Sequence, residues 1–377
     1  AQGAQGGNLG HRGVSPRRVL YLALKAISKR ARQRQVPNGH TFAASGGRKA
    51  CAWYHHRMIQ NAPLSPARFL ALLAALGLPV VMASAQPVPD AFTVTESGAR
   101  FATLQEAINA VGNARATIRI APGTYRQCAV QEQGVIIYEA AEPGSVIFMG
   151  RSCEGKAALV LRGTGAEVRG LTFSNLRVAD GNGAGIRLEK GALNVVYARF
   201  ENSQQGILTA DDPGSRIYIT RSTFSGLGTC ENDAGCAHSL YVGNYGSLTV
   251  RESRFERGTG GHYLKARSAE ATIEGNSFDD ANGAATNYMI DLPAGSVGRI
   301  VDNWFVQGRD KENYSAFIAL GAEDLLHSSD GLEVANNEAR FVPGLSRTSV
   351  FLADWTGSKI MMQGNKLAAG LKQYEQR

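Results

Sequence analysis

Along the second half of the chain apolar residues recur two apart, in a unit that returns eight times. Its clearest copy is Ala271-Thr272-Ile273-Glu274-Gly275-Asn276-Ser277-Phe278. Anchored on its last residue, the unit recurs at Phe173, Phe200, Phe224, Phe255, Phe278, Phe305, Ala339 and Leu367, with 23 to 34 residues between anchors. Five positions before each anchor stand Val168, Val195, Ile219, Val250, Ile273, Ile300, Val334 and Met362. Residues two apart share one face of a strand, and β-branched side chains favour that conformation. The last four copies carry Asn276, Asn303, Asn337 and Asn365 two before the anchor. Asn tolerates left-handed backbone and suits a tight bend. A strand, a bend and another inward residue at this period describe one coil of a solenoid. Leucine-rich repeats share the period, but their Leu spacing is absent, and helical repeats fail on the apolar period. The pattern predicts an all-β fold, a single-stranded right-handed parallel β-helix, with the anchors as an internal aromatic column and the Asn residues as a ladder.

Ahead of the coils, Leu104, Ala107, Ile108 and Val111 fall on one face of a helix, with Thr103 as its cap. A strand at Thr117-Ile118-Arg119-Ile120 and a turn at Ala121-Pro122-Gly123 follow. The open end of a solenoid exposes strand edges, so the helix is read as a short N-terminal cap. The stretch FATLQEAINAV…ATIRIAPGTY, followed by coils, resembles the opening of the pectin-lyase-like superfamily of secreted right-handed β-helix proteins. The resemblance covers roughly residues 90–370 and implies the fold. It does not choose an activity, because that superfamily includes lyases, hydrolases, esterases, epimerases and phage tail fibres.

Charge and cysteines divide the chain. Residues 1–85 hold 12 of the 40 Lys and Arg residues and none of the 32 Asp and Glu, so the remainder is mildly acidic. The formal charge of +8 therefore gives no argument for nucleic acid. Residues 1–57 read as an unstructured basic extension outside the mature protein. Residues 58–85, with Arg68, the apolar run Phe69–Met82 and Ala83-Ser84-Ala85, read as a cleaved signal peptide. Residues 86–377 are then the β-helix domain, secreted or periplasmic, with no membrane span. Cys128, Cys153, Cys230 and Cys236 remain in it, an even number that suggests two disulfides in an exported protein. Cys230–Cys236 closes a local loop and Cys128–Cys153 links adjacent coils; the spacing is wrong for zinc.

Candidate chemistry lies on the strand between one anchor and the next bend. Three consecutive coils read His238-Ser239-Leu240-Tyr241-Val242, His262-Tyr263-Leu264-Lys265-Ala266-Arg267 and Asn287-Tyr288-Met289-Ile290-Asp291. Aligned on their first residues, His238, His262 and Asn287 form one column, and Tyr241, Lys265 and Ile290 another. With Leu264 and Ala266 inward, Tyr263, Lys265 and Arg267 point out together. Outward groups on coils about 4.8 Å apart can meet one sugar ring. Two of the three His residues after residue 85 fall here. His262, Lys265, Arg267, Tyr241 and His238 are the catalytic candidates, and Tyr263, Asn244, Asn287, Asp291, Asp211 and Asp212 the substrate-binding ones.

β-Elimination from a uronate chain needs its carboxylate neutralised, a base for the proton at C5, and an acid for the departing oxygen. Lys265 or His262 fits the base, Arg267 the neutraliser, and Tyr241 or His238 the acid; Lys265 would need a lowered pKa. Resemblance adds that superfamily members acting on polysaccharides work on the outer face of this strand stack. The polygalacturonase pattern is incomplete here, and pectin methylesterase and calcium-dependent pectate lyase signatures are missing. Alginate and chondroitin lyases use a Lys and an Arg on this face, but on neighbouring coils, whereas Lys265 and Arg267 share one strand. The sequence therefore points to a lyase acting on an acidic polysaccharide. Its alternatives are a glycoside hydrolase using Asp211, Asp212 or Asp291, and a non-catalytic glycan-binding surface protein. No metal or other cofactor is indicated, calcium is left open, and so is the oligomeric state.

Overall fold

The structure is a computed structural model that describes residues 90–231 and 235–377. The expected basic extension, residues 1–57, and the expected signal peptide, residues 58–85, lie outside the described residues. The chain winds as a right-handed parallel β-solenoid of three sheets, one of twelve strands and two of ten. From Arg115 onward each coil contributes one strand to each sheet, in the order first, second, third, so that neighbours are three strands apart in sequence; Phe92–Val94 and Ala99–Phe101 add an antiparallel pair to the edge of the first sheet. The middle positions of the repeat fall in the first sheet and the anchors in the second, both in register from coil to coil.

The anchors form the expected column. From Phe148 through Phe173, Phe200, Phe224, Phe255 and Phe278 to Phe305, consecutive rings stack with centroids 4.7 to 5.9 Å apart. The column is buried throughout. Full burial of such a side chain contributes about 1.5–3 kcal/mol, and offset ring pairs add somewhat more.

The Asn ladder is also present, for a different reason from the expected one. Left-handed backbone falls one residue earlier, at Gly275, Asp302, Asn336 and Gly364. The ladder residues act through hydrogen bonds. Asn303 Nδ2 donates to Ile273 O at 2.8 Å and to Asn337 Oδ1 at 3.0 Å, while its Oδ1 accepts from the Asn276 backbone N–H at 2.9 Å. Asn276 and Asn337 repeat the pattern, and Ser253 and Ser222 continue it towards the N-terminus with their hydroxyls. A sharp bend buries backbone groups that no strand partner reaches, and the amide satisfies both kinds at once.

The capping helix spans Leu104–Val111, with Thr103 and Glu106 forming a capping box and Leu104, Ala107, Ile108 and Val111 buried. Gln105 on this helix accepts from Val130 N–H at 2.8 Å and donates to Val130 O at 3.0 Å, on the first strand of the third sheet. Cys128–Cys153 and Cys230–Cys236 are both disulfides, the former between adjacent coils, as expected. Among the described residues no helix is long and apolar enough to cross a membrane.

Replacing Asn303 by Ala leaves Ile273 O and Asn276 N–H buried without a side-chain partner. At about 1–3 kcal/mol for each such group, the loss should be roughly 2–6 kcal/mol in equilibrium urea unfolding. The outward substitution Thr249→Ser should stay within about 0.5 kcal/mol. Equal midpoints for the two variants would remove the ladder from the account of stability.

Candidate functional site

The third sheet carries the candidate residues on three consecutive strands, Leu240–Val242, Leu264–Ala266 and Ile290–Leu292. Leu240, Leu264 and Ile290 pair inward, and Tyr241, Lys265 and Asp291 pair on the outer side. The expected column of Tyr241, Lys265 and Ile290 is therefore corrected by one residue. Gly261 bridges Thr286 whereas Leu264 pairs with Ile290, so the later coil has gained a residue between these points. The extra residue falls around Asn287, whose Oδ1 accepts from the next backbone N–H at 2.8 Å and whose Nδ2 donates to Glu312. Tyr288 takes its place in the ring column. His238 stacks on His262 at 4.8 Å, and His262 on Tyr288 at 5.4 Å.

Tyr263 does not face outward with Lys265 and Arg267. It is buried in the core, and its hydroxyl donates to Asp280 Oδ1 at 2.8 Å while accepting from Gly258 N–H at 3.0 Å. The cause is the buried Asp280–Lys311 pair beneath the neighbouring bends. A buried carboxylate needs donors on both oxygens, and Tyr263, Thr286, Gly308 and Lys311 supply them. Asp211 and Asp212 are engaged by the backbone. Asp211 Oδ1 accepts from Asn244 N–H and Asp212 Oδ2 from Gly191 N–H, each at 2.8 Å. The Gly191 bond holds the Asp212 carboxyl below its ordinary pKa. Both are held at the start of the strand Asp212–Thr220 and do not join the Lys265 cluster.

What does converge is a charged network. Asp291 Oδ2 lies 3.2 Å from Lys265 Nζ and 3.3 Å from His262 Nε2. Lys265 Nζ also donates to Glu323 Oε1 at 2.6 Å, and Arg267 Nη2 donates to Glu323 Oε2. Arg267 Nε–H in turn donates to the Tyr241 hydroxyl at 3.2 Å. Glu323 stands on a loop that folds back along the sheet, tied by Glu323 N–H to Pro293 O and by Leu326 and His327 N–H to Ala294 O. His327 Nε2 from the same loop lies 3.1 Å from both Asn244 Oδ1 and Arg267 O. Sequence reasoning missed Tyr288, Glu323 and His327. The one available signal was that His327 is the third His after residue 85.

Burial sets the protonation states. Lys265 and His262 are only 8% and 9% exposed, and Asp291 3%. Burial pushes the Asp291 carboxyl up to about 6, against the pull of Lys265. For Lys265 burial pulls down, but Asp291 and Glu323 together outweigh it and hold the ammonium above its ordinary value. The two groups differ in outcome because Lys265 has two carboxylate partners, whereas Asp291 also feels the Glu323 charge. Glu323 is lowered by Lys265 and Arg267 against its partial burial. Lys265 thus stays protonated, which contradicts the base role expected of it. Burial first, and the nearby cations second, keep His262 well below its ordinary value; burial and its neighbour His262 do the same to His238. The His262 backbone N–H donates to His238 Nδ1 at 3.0 Å, so neutral His238 carries its proton on Nε2.

Next to these groups is a cavity of about 170 Å³, lined by His238, Tyr241, Gln205, Asn182, Asp180 and Cys236 among others. Gly235 and the disulfide-bonded Cys236 form part of its wall. A larger open groove, about 470 Å³, lies on the first sheet around Tyr218 and Thr249. None of the catalytic candidates lines that groove, whereas His238 and Tyr241 line the smaller cavity.

The family model described as "Right handed beta helix region" matches residues 157–339, which includes all three site strands. Over that stretch the match agrees with the parallel coils of the fold. Among curated proteins none matches the sequence. A crystal structure of the pectin methylesterase from Aspergillus niger is similar at 13% identity, over 78% of this β-helix chain and 82% of that one, with a TM-score of 0.32. A superposition that loose carries nothing about activity.

The buried carboxyl makes a pH prediction. Because folding raises the pKa of Asp291, its contribution is most favourable below the unfolded value near 4 and is lost as pH rises through about 6. The two histidines run the other way, since their lowered values make the fold lose stability as pH falls below about 6.5. The difference between wild type and Asp291→Asn isolates the carboxyl. Raising pH from 4 to 7 should cost the wild type up to roughly 3 kcal/mol relative to the variant, at about 1.4 kcal/mol for each tenfold change in proton affinity. A pH-independent difference would show that Asp291 titrates normally.

Proposed function

We propose that this is an exported polysaccharide-active protein, a lyase that cleaves an acidic, uronate-containing polysaccharide by β-elimination. One observation carries the reading: Lys265 and Arg267 together hold a carboxylate, that of Glu323, by both of its oxygens. A uronate ring offers the same group. The two disulfides support export, since such bonds persist in oxidising compartments.

In this mechanism Lys265 and Arg267 neutralise the uronate carboxylate, which renders the neighbouring C5 proton removable. Tyr241 is the proton-transfer group, because its oxygen is oriented by Arg267 and it lines the cavity. With its own proton lost to solvent, the Tyr241 oxygen takes the C5 proton. The C4–O bond then breaks, a C4=C5 double bond forms, and the departing oxygen takes the proton back from Tyr241. His238 Nε2–H can donate a hydrogen bond to that oxygen as charge develops on it.

A hydrolase is the second reading, and the divergent carboxyls favour it. Asp291, pushed up to about 6, suits a general acid, and Glu323, held low, a base. Asp211 and Asp212 no longer belong to that reading. Incubation with a panel of uronate polymers separates these alternatives. A lyase yields unsaturated ends that absorb in the ultraviolet, a hydrolase yields reducing ends without that absorbance, and a glycan binder yields neither.

On a polymer that is cleaved, Tyr241→Phe should lower turnover by at least about 100-fold, the usual scale for a lost acid or base. Its melting temperature should barely change, because Tyr241 is only half-buried and the ring is retained. Full activity in the variant would exclude Tyr241 from the proton transfer.

A further inference from the structure

We infer that Glu323 is a built-in competitor for the carboxylate of the substrate, and that it makes the site selective for polymeric over monomeric uronates. The inference rests on the proposed acidic-polysaccharide reading and adds a specificity device to it. Lys265 is nearly buried, and its ammonium has Asp291 on one side and Glu323 on the other. Asp291 comes from the adjacent strand of the same sheet and is fixed there. Glu323 comes from 58 residues along the chain, on the loop that doubles back over the outer face. Its side chain is 43% exposed, against 4% for that of Asp291. The fixed carboxylate belongs to the scaffold, and the exposed one can leave by rotating its own side-chain bonds into water.

The geometry of Glu323 is that of a ligand. One oxygen meets Lys265 and the other meets Arg267, and Arg267 also orients Tyr241. An arriving uronate must take over these same donors to bring its C5 next to Tyr241. The loop backbone need not move for this, and its bonds to Pro293 and Ala294 can stay intact.

Competition with a tethered group has a known form. A group held on the same chain acts at an effective concentration on the order of millimolar. A single sugar binding through one carboxylate contends with that concentration on unfavourable terms. A polymer that also occupies the cavity at His238 and Gln205 has further contacts with which to displace Glu323. Glu323 thus sets a threshold that a chain of sugars crosses and one sugar does not, by the rule that a ligand shifts an equilibrium only by its differential affinity for the two states.

The test uses the mature β-helix and isothermal titration with D-galacturonate and D-glucuronate, as monomers and as hexamers. Wild type should bind a hexamer and show monomer binding at least tenfold weaker than Glu323→Gln does. Glu323→Asp, one methylene shorter, should lie between them, and Glu323→Gln with Arg267→Met should lose the gain. A melting scan establishes that each variant is folded; should Glu323→Gln fail to fold, the Asp variant gives the same comparison. If wild type cleaves or binds a uronate hexamer while both Glu323 variants bind monomer within twofold of wild type, the competitor inference is overturned and the function stands. If no uronate binds to any of the proteins, Glu323 is a structural clamp and both readings fall together.

Discussion

In-register stacking of parallel coils governs this protein. Within the coils each strand pairs with the same segment of the coils before and after it, so a residue that fits at one position is needed again one coil later. Phenylalanine meets phenylalanine, a β-branched residue meets its like, and the amide of one Asn serves the bend above it. The stacking also decides where variation is allowed. Extra residues cannot enter a strand without breaking the ladder, and they collect at the corners. The Cys230–Cys236 loop and the loop bearing Glu323 are two such insertions, and they flank the outer face of the third sheet between them.

The site follows from the same constraint. A straight sheet offers one outward side chain per strand, so Tyr241, Lys265 and Asp291 form a line at the spacing of the strands. Alone, such a line would be a solvated stripe. The returning loop encloses it, and enclosure gives the charges their character. Two cations and two carboxylates nearly cancel, yet one carboxyl rises towards neutrality while the other falls, because burial and partner number differ between them. Weakly perturbed surface charges would not be sorted in that way.

The fold was legible because its signals are local and repeated. A period of two, β-branched positions and the recurring anchor located the first two sheets from Val168 and Phe173 onward, and the amphipathic pattern located the capping helix. The site was legible only in part. His238, Tyr241, His262, Lys265 and Arg267 do gather on one face, since they lie on strands whose alternation can be read. Tyr263 was misassigned because a buried Asp280, remote in sequence, claims its hydroxyl. Asn287 and Tyr288 exchanged roles through a single added residue that alternation cannot reveal. Glu323 and His327 carry no periodic signal, and only the backward path of their loop brings them to Lys265, Arg267 and Asn244.

The first strand of the third sheet shows how growth of such a stack is stopped. A parallel sheet recruits new strands through one free N–H and one free C=O per pair of residues. At Val130 both are already taken by the single amide of Gln105. That side chain imitates a peptide group of a strand that is not there. A second copy approaching this end head-on would meet a closed bonding pattern and the polar face of a helix. The glutamine works as a chain terminator: where every other coil is a template for the next, the edge at Val130 offers a newcomer no free bonding pair.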